Sequence, residues 1–213
     1  MKSNKLDLDK KFVIAISRDI ASGGTHIAKE LAERLNIKFI NKEKLGIISK
    51  KLGISEEQVK DIKHKNVSWW DDVCKYYNTV TALSVHTYED RYEMNSRTII
   101  QAESKILKEF AEHESIITIG RAGHLTFKDA PNSLHIFLSC DKEQRIANLM
   151  NKEGVDAISA QKKIEEADKR RAAYCKQNFD EERYDLHNYD LVLNITDNNV
   201  ERTVQTILAY IRN

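Results

Sequence analysis

Arg18, the segment Ala21-Ser22-Gly23-Gly24-Thr25-His26, the pair Gly120-Arg121 and the run Asp168-Lys169-Arg170-Arg171 have the residue types that hold phosphate. Paired glycines let a backbone approach an anion closely, and successive N–H groups can curl around it. Guanidinium groups match the spreading charge of a phosphoryl group through paired hydrogen bonds. Phosphoryl transfer asks a protein for little covalent chemistry, mainly charge, alignment and exclusion of water.

The local pattern around the glycines supports that chemistry. A short apolar run, residues 12–16, reads as a buried strand. After the glycines the apolar residues return as Ile27, Ala28, Leu31, Ala32 and Leu35, which is helical spacing. Strand, glycine turn, helix aims the positive end of a helix at an anion. Laid on the pattern G-x-x-x-x-G-K-[ST] with Gly24 as the second glycine, the sequence has Asp19 at the first glycine. Thr25 then stands at the lysine position and His26 at the Ser/Thr position. The charge that follows the β- and γ-phosphates is missing, and so is the usual magnesium-ligating hydroxyl. Thr25 could offer its hydroxyl one position early, and Arg18 could supply displaced positive charge. The plainer alternative is a tight turn that binds nothing.

The elements that must position these residues follow from periodicity. Strand candidates are residues 12–16, 37–40, 115–119, 134–138 and 191–195, and helices separate them. This alternation points to a mostly parallel sheet covered on both faces. Ligands of such sheets bind beyond the C-terminal strand ends. Arg18, Asn41, Gly120 and Arg121 follow three of those ends, so the spacing expects them around one crevice. Asp141 with Gln144 has the spacing of a helix cap, as has Ser55 with Gln58. Residues 42–95 read as helices without a strand and carry Trp69, Trp70, Tyr76, Tyr77, Tyr88 and Tyr92. Such residues pack a small insert, or line a groove for a flat ring. A helix is expected from about Ser96, and a highly charged one over residues 159–176. A charged run is ordinarily a solvated face. Arg170 and Arg171, being adjacent, point about 100 degrees apart on a helix, and Asp168 is placed to orient Arg171.

Composition narrows the remaining classes. The 213 residues suit one core with an inserted subdomain. A formal charge of +1 gives no global case for nucleic acid or a membrane surface. Cys74, Cys140 and Cys175 form neither a disulfide framework nor a metal knuckle, so a reducing cytoplasm is the expected setting and no residue is assigned as a metal ligand. Residues 1–11 lack the apolar centre of a signal peptide, and no apolar run has the length to cross a bilayer.

Together these stretches resemble the cytidylate kinase-like family, a branch of the P-loop nucleoside monophosphate kinases. The residues that carry the likeness are Ile16-Ser17-Arg18, Ala21-Ser22-Gly23-Gly24, Ile119-Gly120-Arg121 and Asp129-Ala130-Pro131. Asp168-Lys169-Arg170-Arg171-Ala172-Ala173-Tyr174 and Tyr189-Asp190-Leu191-Val192-Leu193-Asn194 extend it along the chain. The resemblance implies a three-layer α/β/α fold with a five-stranded, mostly parallel sheet. Residues 1–41 and 96–213 would form the core, lid helices would span about 154–180, and residues 42–95 would be the monophosphate-binding insert. It implies transfer of the γ-phosphoryl of ATP, with Mg2+, to a nucleotide acceptor, cytidylate first among them. Residues 21–26 would hold the donor phosphates. Arg121 resembles the arginine at the acceptor phosphate, and Arg170 and Arg171 resemble the lid arginines, with Asp168 as neighbour. Asn41, Arg91 and Arg97 would face the acceptor, Asn41 where such kinases carry an acid. Implied partners are small-molecule nucleotides, with the aromatic insert as the place where copies of the chain could associate. Two other classes remain open: a nucleotide-binding regulator of the same fold, and a protein-interaction module that uses the insert.

Overall fold

The computed structural model describes residues 6–41 and 96–212. The expected cap at Ser55, the aromatic cluster around Trp69 and Arg91 lie outside the described residues. The chain divides into two compact units, Met1–Ile40 with Phe110–Asn213, and Asn41–Glu109.

In the first unit the expected alternation gives five strands: β1 (Val13–Arg18), β2 (Lys38–Ile40), β3 (Ile116–Ile119), β4 (Ser133–Ser139) and β5 (Leu191–Asn194). All their pairings are parallel, in the order β2-β3-β1-β4-β5. β1 runs two residues past the apolar stretch, because its ladder with β4 continues to Arg18 opposite Leu138. After β1 the chain moves to one side of the sheet for β2 and β3. After β3 it crosses β1 to build β4 and β5 on the other side. The order therefore reverses beside β1, and a crevice opens at the strand ends there.

Helices flank the sheet, and the fold is a three-layer α/β/α arrangement. α1 (Gly24–Leu35) buries Ile27, Ala28, Leu31 and Ala32, the 3–4 spacing read from the sequence. α6 (Val200–Arg212) buries Val204, Ile207, Leu208 and Ile211. Both stripes join Ile14, Ile16, Ile117, Ile119, Ile136 and Leu138 in the main core. Arg34 of α1 ties to Glu201 of α6 at 2.6 Å. Ser96–His113 forms α2, which contains Arg97, and runs from the second unit into the first.

The helices after β3 shape the crevice. α3 (Gly123–Thr126) is one buried turn, followed later by α4 (Lys142–Glu153) and α5 (Ala157–Phe179). α4 and α5 pack around Leu149, Ala160 and Ile164, with Ile20 and Ala21 against them. The expected cap of α4 by Asp141 and Gln144 does not form. Asp141 heads the helix without a side-chain cap bond. Its carboxylate instead accepts from Asn194 Nδ2 at 3.0 Å, and Gln144 donates to Asn148 at 2.9 Å. The neighbouring strand end outcompetes the helix for that carboxylate. α5 is capped by Asp156, which accepts from the Ser159 N–H at 3.0 Å.

Candidate functional site

Residues 19–23 carry the chain from β1 into α1, and their polar groups largely hold one another. The Asp19 N–H donates to Leu138 O at 3.1 Å, and the Asp19 carboxylate accepts from the Cys140 N–H at 3.1 Å. Ser22 Oγ donates to Asp19 O at 2.9 Å and accepts from the Gly24 N–H at 3.3 Å. Asp19 therefore anchors the loop where a glycine was the pattern's first residue. Its burial raises the carboxyl pKa, opposed by Arg145 and the Cys140 N–H.

Two residues of the loop take left-handed backbone. Gly23 does so at φ 82° without cost to a side chain. Ala21 does so at φ 59°, which costs roughly 1–2 kcal/mol for a residue with a Cβ. Asn148 of α4 holds that conformation by donating Nδ2 to Ala21 O at 2.8 Å. No side chain caps α1 at Gly23, so the positive end of the helix faces outward. It opens on a cleft of about 780 Å³ lined by residues 18–26, by Asn148, Asn151 and Lys152 of α4, by Arg171 of α5 and by Asn198. Thr25 and His26 are exposed at that end.

Of the arginines, Arg18 and Arg171 line the cleft. Arg18 runs toward β3, and a Cβ on Gly120 would overlap its Nη1. The mobile end of Arg18 could give way to a Cβ there, but the φ of 76° itself favours glycine. Arg121 and Ala122 continue the left-handed turn at φ 53° and 49°. The turn carries the Arg121 guanidinium over the Tyr174 ring of α5, 5.3 Å from its centroid. Arg171 Nη1 donates to Arg18 O at 3.1 Å. Burial lowers the Arg171 pKa, and the charge of Arg183 adds to this. Arg170 points away, largely exposed, 3.8 Å from Glu166. Asp168 was expected to orient Arg171 but pairs with Arg145 at 2.5 Å, and Arg145 Nε also donates to Ile20 O at 3.0 Å. Asn41 belongs to the second unit, and Arg97 is described only as part of α2.

A strand, a glycine turn and an open helix end thus lead into a cleft lined by Arg18 and Arg171. The model of the cytidylate kinase-like family matches residues 13–197. The chain belongs to the cytidylate kinase-like family. A solved structure from Eubacterium ventriosum ATCC 27560, an uncharacterized protein, is 25% identical with a TM-score of 0.66, covering 95% of this chain and 99% of that one. Shikimate kinase from Bacteroides thetaiotaomicron is 16% identical with a TM-score of 0.53, again over 95% and 99% of the two chains. At that identity the likeness is one of fold. No curated protein matches the chain.

For this cytidylate kinase-like chain, sequence reasoning missed three residues: Arg145, Asn148 and Arg183. Arg145 and Leu149 are the buried residues of α4, four apart, so an arginine in an apolar stripe was the available signal. Asn148 carried none. Arg183 follows α5, is 6% exposed, and donates Nη2 to the same Arg18 carbonyl at 2.6 Å. Nothing in its neighbourhood in sequence marks it. Behind it lies a buried polar chain. Tyr189 Oη donates to Arg183 O at 2.8 Å and lies 3.1 Å from His124 Nε2, while Ser17 Oγ lies 3.1 Å from His124 Nδ1. A neutral His124 with its proton on Nε2 satisfies all three contacts. Burial drives its pKa down to about 3.

Among the described residues, no group of three or more His, Cys, Asp or Glu could hold a metal ion. Nor is any described helix long and apolar enough to cross a membrane.

Proposed function

We propose that this protein is a P-loop phosphotransferase that moves the γ-phosphoryl of ATP to a nucleoside monophosphate, with cytidylate the first acceptor to test. The observation that carries the reading is the uncapped N-terminus of α1 at Gly23, facing a cleft that also receives Arg171. That combination suits a polyphosphate better than a neutral ligand. The residues fit ATP: the backbone N–H groups of Gly23 and Thr25 would hold its phosphates, those of Gly24 and His26 being given to Ser22 Oγ and Gly23 O. Asn151 and Asn198 offer polar contacts at the cleft edge.

Mg2+ arriving with ATP would offset phosphate charge. Ser22 Oγ is spent within the loop, so Thr25 offers the hydroxyl at this end, and phosphates and water would supply most of the metal's ligands. The chain's own work is electrostatic. Arg18 and Arg171 would balance charge on the transferring group. Arg121 would hold the acceptor phosphate in line, with Asn41, Arg91 and Arg97 on the acceptor side. α5 would act as part of a lid that closes over the phosphates and excludes water.

The test is a screen of nucleoside monophosphates with ATP and Mg2+, read as ADP production. Turnover with one acceptor above the ATPase background supports the reading; none across the set removes it. A second reading, nucleotide binding without turnover, is favoured by Thr25 and His26 at the lysine and hydroxyl positions. ATP binding by calorimetry with no ADP formed selects it.

A further inference from the structure

The Arg18 carbonyl at the end of β1 accepts from two guanidinium groups that are held in different ways. Arg183 is fixed from several sides. Its guanidinium lies 5.5 Å from the centroids of both the Phe137 and Tyr184 rings, and it donates to Arg18 O at 2.6 Å. Its backbone carbonyl accepts the Tyr189 hydroxyl at 2.8 Å. Arg171 makes the longer bond to Arg18 O, 3.1 Å, and faces the cleft. Its carboxylate neighbours are engaged: Asp168 with Arg145, and Asp19 with the Cys140 N–H. Burial and the charge of Arg183 both disfavour the Arg171 cation where it stands.

A half-buried carbonyl left without a donor opposes the departure of its partner. Arg183 removes that obstacle, because one of the two donors is enough to satisfy the oxygen. We propose that Arg183 is a positioning residue: it keeps the Arg18 carbonyl satisfied, so that Arg171 is released to the phosphates of a bound nucleotide. Arg171 then serves as the mobile cation that Thr25 does not provide. This rests on the nucleotide-binding reading above, and its test separates the two.

The experiment compares ATP with adenosine, which lacks phosphates, by calorimetry on the whole protein. Arg183→Met retains the apolar stem between the rings and removes charge and donor. Its ATP Kd should rise roughly tenfold, the worth of one charge-assisted hydrogen bond, while the adenosine Kd stays unchanged. Arg183→Lys should recover part of the loss. In an Arg171→Met background, Arg183→Met should add nothing further, since the two act through one cation. Should Arg183→Met fail to fold, Tyr189→Phe tests the same point by loosening Arg183, with a smaller rise for ATP alone. Three results overturn the proposal and leave nucleotide binding standing: an ATP Kd changed less than twofold, equal losses for ATP and adenosine, or additive effects in the double variant. A wild-type protein that binds no ATP overturns the nucleotide reading and this inference with it.

Discussion

Arg145 of α4 and Asp168 of α5 form an ion pair with side chains only 10% and 21% exposed, and the same guanidinium donates to Ile20 O at 3.0 Å. One side chain thus joins the loop between β1 and α1 to the helix that carries Arg171. Arg145→Ala would leave Asp168 without its ion-pair partner and Ile20 O without its donor. The expected cost is about 3–5 kcal/mol of unfolding free energy. Urea denaturation measures it. A loss below about 1 kcal/mol would show that the pair contributes no more than an exposed one.

Arg121 should behave in the opposite way. Its left-handed backbone at φ 53° is already strained, and its side chain rests on Tyr174 rather than in the core. Arg121→Ala should leave stability within about 1 kcal/mol, the worth of the lost cation–π contact, yet weaken acceptor use. The check is an acceptor titration at saturating ATP beside a thermal melt. Unchanged kinetics would end its assignment to the acceptor phosphate.

His124 gives the fold an acid limit. It is buried at 1% exposure with its pKa lowered to about 3, while the unfolded chain takes up that proton near the ordinary value of 6.5. Between those values the unfolded state binds more protons. Stability is therefore full above pH 6.5 and falls as pH drops toward 3, by about 1.4 kcal/mol per pH unit. From pH 6.5 to 5, before most carboxylates titrate, the expected loss is about 2 kcal/mol. Urea midpoints across that interval test it, and His124→Gln should flatten the slope.

Thr25 tests the missing lysine directly. It is exposed at the start of α1, while the Arg18 guanidinium is drawn off toward Gly120. A lysine at position 25 therefore has room to reach phosphate without meeting Arg18. Thr25→Lys should tighten ATP binding by roughly 1.5–3 kcal/mol, the value of a hydrogen bond to a charged group. Calorimetry on Thr25→Lys, Arg18→Ala and the double variant reads this. No change in any of the three would show that residues 18–26 do not hold nucleotide phosphate.

Strand, turn and helix at residues 13–35 were legible in the sequence because each depends on local pattern: a β-branched apolar run, adjacent glycines, then 3–4 spacing. The same holds for the other four strands and for Arg121 at the end of β3. The inward turn of Arg171 was also encoded, though less openly. Ala160, Ile164, Ala167 and Cys175 are the buried stripe of α5, and Arg171 falls in it between the last two while Arg170 does not. Strand order was not legible, since parallel pairing joins residues such as Val13 and Ile116, or Arg18 and Leu138, that no short window contains. Nor was the partnership of Asp168, whose nearest arginines in sequence are Arg170 and Arg171 but whose partner in space is Arg145, 23 residues away. Arg183 meets Arg18 across 165 residues. A backbone carbonyl has no sequence signature, so its two guanidinium donors were decided only when the sheet brought their elements to one end.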